Sequence, residues 1–306
     1  MNIHVLLWWP EVDAFDFSRD DFDEFRQHVP GAKLWFHVDA ASFLRDAGNA
    51  DYVLAWHFPA DWYAACPSLQ AVFTPAAGSE WVEPDPSGRV RVVHGSFHGP
   101  LIAESLLSAI LFMNHQMPAM IRNFALRAWD RNLQRNARLL RTQTVMVVGL
   151  GHIGSHCANL ISRTGARVLG FKRDVTRLPI ALEGVEVIPA SDLDEFLPQA
   201  DHVALVLPGD ESTDGLMSET RLRRCKPGAY IYNFGRGNAV SSDALCHVAN
   251  HIGGAFLDVV DEEPLSPNSA LWRLPNVMIT PHSSCVYQDY KRLFLAEVLE
   301  SINASA

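Results

Sequence analysis

The chain has 306 residues, of which 48% are hydrophobic and 20% are charged, and its formal net charge is -10. This length fits one large domain or two of ordinary size, and the apolar content is typical of a packed globular protein rather than a disordered one. The negative charge disfavours nucleic acid and anionic membranes as partners. An anionic substrate would therefore need a locally positive pocket.

The five cysteines are scattered along the chain, odd in number and free of Cys-x-x-Cys spacing. This pattern argues against a zinc site and a disulfide framework, and it favours a reducing cytoplasm. The first residues lack a basic stretch and turn acidic early, so we interpret them as a strand and not as a signal peptide. No apolar run approaches the roughly 20 residues that a membrane span needs. We expect a cytoplasmic protein without a bound metal.

The first hundred residues contain short apolar runs of strand length, several of them followed by turn or helix-compatible residues. These predicted strands are residues 3–8, 33–38, 52–55, 71–74 and 90–93. Strands that alternate with helices predict a parallel sheet covered on both faces.

Residues 101–126 carry apolar side chains at helical spacing, with Pro118 as the predicted kink. The apolar content is high for a surface helix, so the helix is expected to pack between domains or against a second subunit. We therefore predict a homodimer. Residues 127–141 are basic and poorly periodic, which indicates a connecting loop.

A second alternating series begins at Thr144 and is typical of a doubly wound nucleotide-binding domain. Its predicted strands are residues 144–148, 167–171, 185–188, 202–207, 229–233, 254–259 and 277–280. A final helix is predicted at residues 287–302.

The sequence GLGHIG at residues 149–154 follows the apolar run TVMVV and precedes helix-compatible residues. In this context Gly149 permits a tight turn, Gly151 lets the backbone approach a pyrophosphate, and Gly154 lets helix and strand pack closely. The helix N-terminus at His152 and Ile153 would offer free N–H groups to phosphates. A structural turn without a ligand is the alternative.

The strand after the glycine turn ends in Lys172, Arg173 and Asp174. An NAD-binding domain usually places a carboxylate about 20 residues past the glycines to hold the ribose 2′-hydroxyl. Two cations at this point would instead attract a 2′-phosphate. The pattern favours NADP, with NAD possible if Asp174 takes the ribose and the two cations are solvated.

Three polar segments stand where this architecture binds its ligand, at the carboxyl ends of strands: NFGRG at 233–237, DVVDEEPL at 258–265 and TPHSS at 280–284. Together with GLGHIG and ALW at 270–272, they resemble the D-isomer-specific 2-hydroxyacid dehydrogenase family in order and spacing, over essentially the whole chain. Within that family the sequence looks closest to glyoxylate/hydroxypyruvate reductases. The features that indicate this are AWH at 55–57, AAGSE at 76–80 and the basic residues after the second strand of the nucleotide domain.

The resemblance implies two α/β domains with the active site in the cleft between them. Residues 100–282 would form a Rossmann-type doubly wound nucleotide domain. Residues 1–99 and 283–306 would form a flavodoxin-like substrate domain. The segment 94–100 between them, which carries two histidines, is interpreted as a hinge.

The resemblance also implies three catalytic roles. Arg236 would bind the substrate carboxylate with its planar fork, unless it only satisfies loop carbonyls. His282 would donate a proton to the carbonyl oxygen. Glu263, just before the proline, would pair with His282 and fix its tautomer. Asp261 and Glu262 are expected to be solvated or locally structural.

Further contacts follow from the same resemblance. Beyond the glycine turn and the basic pair, the implied cofactor contacts are Leu207, Pro208, Thr213, Asn233, Phe234, Gly235, Asp258 and Ser284. For Asp258 a cap or turn role is the alternative. Trp56, Ala77 and Gly78 would line the substrate pocket with Arg236 and His282, although an aromatic after a strand is core about as often. Ser79 and Glu80 stand where many family members have Asp, which puts the detail of this loop in doubt.

The sequence therefore predicts an NAD(P)H-dependent reductase of a small 2-keto acid, such as glyoxylate or hydroxypyruvate, that forms the D-2-hydroxy acid and prefers NADP. The alternative from another class is a non-catalytic dinucleotide-sensing protein, corepressor-like, on the same fold. It would bind nucleotide without turnover. A formate-type dehydrogenase is disfavoured because that pattern has Gln where this chain has Glu263.

Overall fold

The computed structural model describes residues 1–304, so the last two residues of the predicted substrate domain, Ser305 and Ala306, lie outside the described residues. The chain divides into two compact units. One comprises Met1–His98 and Val286–Ala306, and the other comprises Gly99–Cys285. Each unit is built on its own parallel sheet.

The first unit contains a five-stranded parallel sheet in the order β2-β1-β3-β4-β5. This is the flavodoxin-like order. The direction in which successive strands are added to the sheet reverses at the point between β1 and β3. The elements in chain order are β1 (Asn2–Leu6), α1 (Asp23–His28), β2 (Lys33–Phe36), α2 (Ala40–Asp46), β3 (Tyr52–Ala55), β4 (Ala71–Thr74) and β5 (Arg91–His94).

The central strands β3 and β4 are buried along their whole length and have the bounds that the apolar runs predict. Continuous apolar strands are typical of parallel sheets that are covered on both faces. The helix α2 begins after Asp39, whose side chain accepts a hydrogen bond from the backbone N–H of Ser42 at 2.7 Å. This cap satisfies one of the N–H groups that a helix start leaves without a partner.

The single kinked helix predicted over residues 101–126 is two helices, α3 (His98–Asn114) and α4 (Met117–Ala125). The prediction of a kink at Pro118 was wrong by two residues. The break lies at Gln116, which has a left-handed φ of 58°. Pro118 is in the first turn of α4, where a missing N–H breaks no helical hydrogen bond.

The second unit contains a seven-stranded parallel sheet in the order β12-β11-β10-β9-β6-β7-β8. Strand order reverses between β6 and β9, as in Rossmann-type domains. The elements are β6 (Thr144–Val148), α5 (His152–Ser162), β7 (Arg167–Lys172), β8 (Val185–Pro189), α6 (Leu193–Phe196), β9 (His202–Leu205), α7 (Glu219–Arg224), β10 (Tyr230–Asn233), α8 (Ser242–Val248), β11 (Gly254–Leu257) and β12 (Val277–Ile279). The chain ends in α9 (Tyr290–Asn303), which belongs to the first unit.

Both faces of the seven-stranded sheet are buried. Met146 and Val148 of β6 belong to one apolar cluster, whereas Val145 and Val147 belong to another. Because side chains alternate along a strand, these clusters cover opposite faces of the sheet. The doubly wound α/β class predicted from the sequence is confirmed.

Within residues 1–304, no helix combines the length and the apolar character that crossing a bilayer requires. All five cysteines are free thiols.

Candidate active site

The glycine turn joins β6 to α5 at the switch point of the seven-stranded sheet. Gly149 has a φ of 105°, and a Cβ added there would lie 2.4 Å from the carbonyl oxygen of Val206. A Cβ on Gly154 would lie 1.8 Å from the carbonyl oxygen of Gly149. Both glycines are therefore required by backbone geometry, because any side chain would collide with main-chain atoms.

Gly151 differs from these two glycines, because a Cβ added there would meet no atom within 4 Å. Gly151 is the N-cap of α5 and offers no side-chain cap to the backbone N–H groups at the start of the helix, which begins at His152. A helix start of this kind attracts anions. The turn therefore fits the pyrophosphate of a dinucleotide, because the space beside Gly151 is open to the phosphates.

The two cations after β7 are placed differently. The amino group of Lys172 donates to the carbonyl oxygen of Leu150 at 2.8 Å, so it braces the glycine turn. The guanidinium of Arg173 is exposed, donates to Ser212 Oγ at 3.0 Å and lies 4.0 Å from the carboxylate of Asp210. Of the predicted pair, Arg173 is the cation that is accessible to a ligand.

Asp174, the alternative ribose partner, is held by its own turn. Its Oδ1 accepts hydrogen bonds from the backbone N–H and the hydroxyl of Thr176, at 3.0 and 2.6 Å, and its Oδ2 lies 3.5 Å from Arg177. The Thr176 hydroxyl and backbone N–H lower the pKa of this carboxyl. Its carboxylate therefore stabilises the loop after β7.

The loop after β9 carries Leu207, Pro208 and Thr213. The Thr213 hydroxyl lies 2.8 Å from the carbonyl oxygen of Pro208 and 2.7 Å from that of Asp210, and it accepts from the Asn238 amide at 3.0 Å. Thr213 therefore shapes this loop from within. Leu207 and Pro208 remain the apolar part of the loop next to Gly149.

The loop after β10 brings Arg236 to the edge of the sheet. The buried side chain of Asn233 accepts from the backbone N–H of Gly235 at 3.3 Å and donates to the carbonyl oxygen of Arg236 at 3.0 Å. A Cβ on Gly235 would lie 2.4 Å from the backbone nitrogen of Leu207, and Phe234 is buried beneath the loop. Arg236 is thus set on a loop with little freedom to move.

Arg236 is half-buried, and its Nη1 donates to the carbonyl oxygen of Gly235 at 3.1 Å. Its aliphatic part packs on Gly209, where an added Cβ would lie 3.1 Å from Arg236 Cγ. Gly237 packs so closely on the next segment that a Cβ would lie 1.7 Å from the carbonyl oxygen of Val260. This contact brings the Arg236 loop against the segment that carries Glu263.

His282 and Glu263 form a direct pair. His282 Nδ1 lies 2.9 Å from Glu263 Oε2, and Glu263 Oε1 accepts from the backbone N–H of Val260 at 3.1 Å. A carboxylate can only accept, so the pair places the hydrogen on Nδ1. The second ring nitrogen, Nε2, is then the atom that can exchange a proton with a ligand.

The pKa of Glu263 lies below its usual range. Burial raises it, but the hydrogen bond with His282 and the charges of His282 and Arg236 lower it further than burial raises it. The carboxylate therefore stays ionised at neutral pH. Arg236 therefore contributes to the electrostatics of the pair through its positive charge.

Asp258, expected to face the nicotinamide, holds the turn that presents His282. Its Oδ1 accepts from the Thr280 hydroxyl at 2.7 Å and from the backbone N–H of Ser283 at 2.9 Å, while Oδ2 accepts from the N–H of Ser284 at 3.0 Å. His282 adopts a left-handed φ of 51°, which a non-glycine residue rarely adopts without support. Asp258 supplies that support through the charge-assisted hydrogen bonds.

Asp261 and Glu262 take no part in the pair. Asp261 accepts hydrogen bonds from the backbone N–H of Ser242, at 2.7 Å, and from its hydroxyl, at the start of α8. Glu262 is exposed. Of the three neighbouring acids, Glu263 is the one beside His282. The sequence shows Asp258 only as an acid at the end of a strand, and this position alone does not predict its hydrogen bonds to the turn that carries His282.

The residues expected to line the substrate pocket lie at the carboxyl edge of the five-stranded sheet. Trp56 follows β3 and is buried, with its indole N–H donating to the carbonyl oxygen of Phe15 at 3.0 Å. Ala77 and Gly78 lie on the turn after β4. The Glu80 carboxyl packs over Gly78, since a Cβ added there would lie 2.2 Å from Glu80 Oε2.

The segment at residues 94–100 contributes to the packing of the first unit. His98 begins α3, and its ring nitrogens lie 3.3 Å from the carbonyl oxygen of Gly95 and 3.3 Å from the Tyr290 hydroxyl. His94 ends β5, with a buried Nδ1 that has no hydrogen-bond partner in the described part of the chain.

Comparison with known proteins places this site in a family. The profile described as "D-isomer specific 2-hydroxyacid dehydrogenase, NAD binding domain" matches residues 107–284. The chain is 31% identical over 274 residues to D-3-phosphoglycerate dehydrogenase of Mycobacterium bovis. The matched region covers 86% of this chain and 51% of that protein. The chain thus spans about half the length of the first curated relatives it matches.

Two solved structures resemble the whole chain. The D-isomer specific 2-hydroxyacid dehydrogenase from Xanthobacter autotrophicus Py2, in complex with NADPH and MES, is 27% identical with a TM-score of 0.81, covering 99% of this chain and 95% of that one. The NADPH-dependent glyoxylate/hydroxypyruvate reductase from Sinorhizobium meliloti, in complex with NADP and sulfate, is 25% identical with a TM-score of 0.79, covering 99% and 94%. The family predicted from the motifs is thereby confirmed: the chain belongs to the D-isomer specific 2-hydroxyacid dehydrogenases.

Proposed function

We propose that the protein reduces a small 2-keto acid, of the glyoxylate or hydroxypyruvate kind, to the D-2-hydroxy acid at the expense of NAD(P)H. The observation that carries the proposal is the 2.9 Å contact between His282 Nδ1 and Glu263 Oε2, with the Arg236 loop packed on the segment that leads to Glu263. An imidazole oriented by a carboxylate can act as a proton donor and acceptor. The nearby guanidinium supplies the local positive charge that an anionic substrate needs in a chain of net charge -10.

The reaction divides among these side chains. The nicotinamide, when bound, supplies the hydride. Arg236 binds the substrate carboxylate through its planar fork and holds the keto carbon in a fixed orientation. His282 gives the proton on Nε2 to the carbonyl oxygen, and Glu263 holds the Nδ1 hydrogen and stabilises the charged ring before that transfer. Asp258 keeps the histidine turn in place.

The glycine turn and the loops after β9 and β10 are suited to hold the dinucleotide. The start of α5 would take the pyrophosphate, and Leu207 and Pro208 would pack on the adenosine. Asn233, Phe234 and Gly235 would border the nicotinamide, as would Ser284 beside Asp258. We assign Thr213 to shaping this loop.

NADP is the preferred cofactor in this proposal, with NAD possible. The support is the exposed guanidinium of Arg173, which is the accessible member of the predicted pair, while Lys172 is engaged with the glycine turn. A 2′-phosphate would form a charge-assisted hydrogen bond with Arg173. The carboxylate of Asp210, 4.0 Å from Arg173, limits the gain in affinity.

Trp56, Ala77 and Gly78 are proposed to contact the substrate together with Arg236 and His282. The Glu80 carboxyl over Gly78 supports a monocarboxylic substrate, because it would repel a second carboxylate at this turn. A small keto acid with one carboxylate meets this requirement.

The assembly proposed is a homodimer through α4 and the loop that follows it. Phe124 is 87% exposed and Trp129 is 89% exposed in the single chain, with Ile121 and Leu126 also exposed. Large apolar side chains grouped in this way are normally buried by a partner. Size-exclusion chromatography with light scattering should give twice the chain mass, and the double variant Phe124→Ser/Trp129→Ser should shift it to the chain mass. A monomeric wild-type protein would contradict this proposal.

Initial rates with NADH and NADPH against a panel of keto acids test the function. The panel is glyoxylate, hydroxypyruvate, pyruvate, 2-ketoglutarate and 3-phosphohydroxypyruvate. We expect the highest kcat/KM with NADPH and one of the first two acids. Tight nucleotide binding without oxidation by any of the acids would overturn the proposal and indicate a dinucleotide-sensing protein instead.

A further inference from the structure

A second concave site lies at the opposite edge of the seven-stranded sheet, where the strands begin. It is a cavity of about 370 Å³ whose lining includes Arg138, Asp201, Lys226 and Tyr230. Asp201 directly precedes β9 and Tyr230 begins β10, whereas the candidate catalytic residues follow the ends of strands. The cavity is therefore separated from them by the length of the strands, and its volume falls in the range of small-molecule sites, roughly 300–1,000 Å³.

The charged groups of the cavity leave one positive charge unbalanced. Asp201 is the single carboxylate of the lining, and its side chain is only 9% exposed. Its Oδ1 lies 3.1 Å from Arg138 Nη1 and 2.8 Å from Lys226 Nζ, and its Oδ2 accepts from the backbone N–H of Thr144 at 3.0 Å. Burial raises the pKa of Asp201, but Lys226 and the Thr144 N–H lower it further than burial raises it, so the carboxylate is ionised.

Both cations can reach a ligand while they hold Asp201. The side chain of Arg138 is 53% exposed and that of Lys226 is 38% exposed, and each keeps N–H donors beyond the one directed at Asp201. Two cations against one carboxylate attract a monoanion, and an ammonium and a guanidinium together fit the two oxygens of a carboxylate.

The neutral polar groups of the lining can bind a second polar group on the ligand. The Tyr230 hydroxyl accepts from Gln116 Nε2 at 2.5 Å, which leaves its O–H to donate. Gln143 is buried, and its Oε1 has no hydrogen-bond partner among residues 1–304. A buried amide oxygen without a hydrogen-bond partner is destabilising, so a ligand hydroxyl that reaches Gln143 Oε1 would add affinity.

We propose that this cavity is a second binding site, for a small monocarboxylate that carries a hydroxyl group. Lys226 and Arg138 bind the carboxylate, and Gln143 and Tyr230 bind the hydroxyl. This site is independent of the reductase function proposed above, because none of its residues belongs to that machinery.

Isothermal titration calorimetry of the full chain with 3-hydroxybutyrate tests the proposal. This probe carries both functions, and its hydroxyl is not on the carbon of a 2-hydroxy acid. We expect saturable binding of one probe per chain with a Kd of about 1 mM. The Kd measured in saturating NADPH should agree with the Kd measured without NADPH to within about twofold. Butyrate, which lacks the hydroxyl, should bind about fivefold more weakly, as one hydrogen bond predicts. Inorganic phosphate should also bind more weakly than the probe.

Variants identify the site. Lys226→Met should weaken 3-hydroxybutyrate binding about tenfold or more, since it removes a charge-assisted hydrogen bond. Gln143→Leu leaves the charges intact and should abolish the preference for 3-hydroxybutyrate over butyrate, so it tests the site even if Lys226→Met does not fold. Arg167→Met is the matched control, because Arg167 begins β7 at the same sheet edge and pairs with Glu186 outside the cavity.

Three results would overturn the proposal. The first is wild-type protein without saturable heat up to about 20 mM probe. The second is binding that NADPH abolishes, which would place the probe in the active site. The third is a Kd unchanged by Lys226→Met and a hydroxyl preference unchanged by Gln143→Leu.

Discussion

The carboxyl edges of the two parallel sheets differ in chemistry. At the edge of the seven-stranded sheet, Asp258 and Glu263 hold the His282 turn and the His282 ring by hydrogen bonds, and Asn233 holds the loop that carries Arg236. At the edge of the five-stranded sheet, the residues after β1, β3 and β4 include tryptophans and several small residues, with the Glu80 carboxyl over Gly78. The Trp9 ring centroid lies 5.6 Å from that of Trp56 and 5.5 Å from that of Trp81.

The difference separates two tasks. Charge held in a hydrogen-bonded frame suits proton transfer and anion binding, which depend on orientation within fractions of an ångström. An aromatic edge offers shape and apolar area, which discriminate substrates by size but do not catalyse. We therefore expect substitutions at the charged edge to lower kcat/KM strongly and substitutions at the aromatic edge to change KM modestly.

The largest effect should come from Arg236→Lys. A lysine keeps the charge but loses the planar fork, so the two hydrogen bonds to the substrate carboxylate cannot both form. We expect kcat/KM for the best keto acid to fall about 10³-fold, because the loss of one charge-assisted hydrogen bond costs about tenfold and the misplaced keto carbon costs about 10²-fold more. Steady-state NADPH oxidation measures it. A loss below tenfold would mean that Arg236 does not bind the carboxylate.

Acid should destabilise the seven-stranded sheet through His202. This buried imidazole lies 2.9 Å from the Tyr232 hydroxyl, and burial lowers its pKa to about 4, with Asp201 opposing and Arg138 and Lys226 assisting the shift. The unfolded state binds the proton more readily, so the stability that the neutral ring contributes is present above pH 6.5 and is lost as the pH falls towards 4. Between pH 7.5 and pH 5 the loss should be about 2 kcal/mol.

Urea unfolding at the two pH values measures this contribution. The wild-type protein should lose about 2 kcal/mol more than His202→Gln, which cannot titrate in this range. His28→Gln is the control, because His28 is exposed. Equal losses in wild type and His202→Gln would contradict the assignment. His4 and His37 in the five-stranded sheet also have lowered pKa values from burial, and both variants retain them.

Arg173→Ala should change cofactor selectivity. Loss of the accessible cation after β7 is expected to weaken NADPH binding about tenfold and to leave NADH binding unchanged, as one exposed charge-assisted contact predicts. Lys172→Met should weaken both cofactors alike, because its amino group braces the glycine turn at Leu150. Fluorescence titration measures the Kd values. Equal changes for both cofactors in Arg173→Ala would remove the support for NADP.

The smallest effect should come from Trp56→Phe at the aromatic edge. The variant loses the indole hydrogen bond to Phe15 and some apolar area, so we expect KM for the keto acid to rise about threefold with the NADPH Kd unchanged. Trp35→Phe is the matched control, since Trp35 also donates its indole N–H, to Asn2 at 3.3 Å, but lies on β2. An equal KM in both variants would place Trp56 outside the pocket.

Much of the fold follows from the apolar pattern. Strands β3, β4 and β6 have the predicted bounds, because a parallel strand buried on both faces is a continuous apolar run. The helix break at Gln116 was not predictable in this way. A left-handed glutamine has no sequence signature, whereas Pro118 is a conspicuous residue that the first turn of a helix tolerates.

The candidate site could be predicted in part. Gly149 and Gly154 follow from backbone geometry, and the family resemblance paired Glu263 with His282, which the structure places 2.9 Å apart. The sequence does not predict the direction in which a side chain points. Lys172 and Arg173 are adjacent cations in sequence, yet one holds the glycine turn and the other is exposed. An acid at the end of a strand, such as Asp258, looks the same whether it faces a ligand or a turn.

The central claim is that His282 is the proton donor of a keto acid reductase, and His282→Ala tests it most directly. The matched control is His247→Ala, since His247 Nδ1 also lies 2.9 Å from a carboxylate, that of Glu219, away from the site. We predict that His282→Ala lowers kcat for keto acid reduction at least about 100-fold, while the NADPH Kd stays within about threefold of wild type. Full activity in His282→Ala, with NADPH bound normally, would contradict the account.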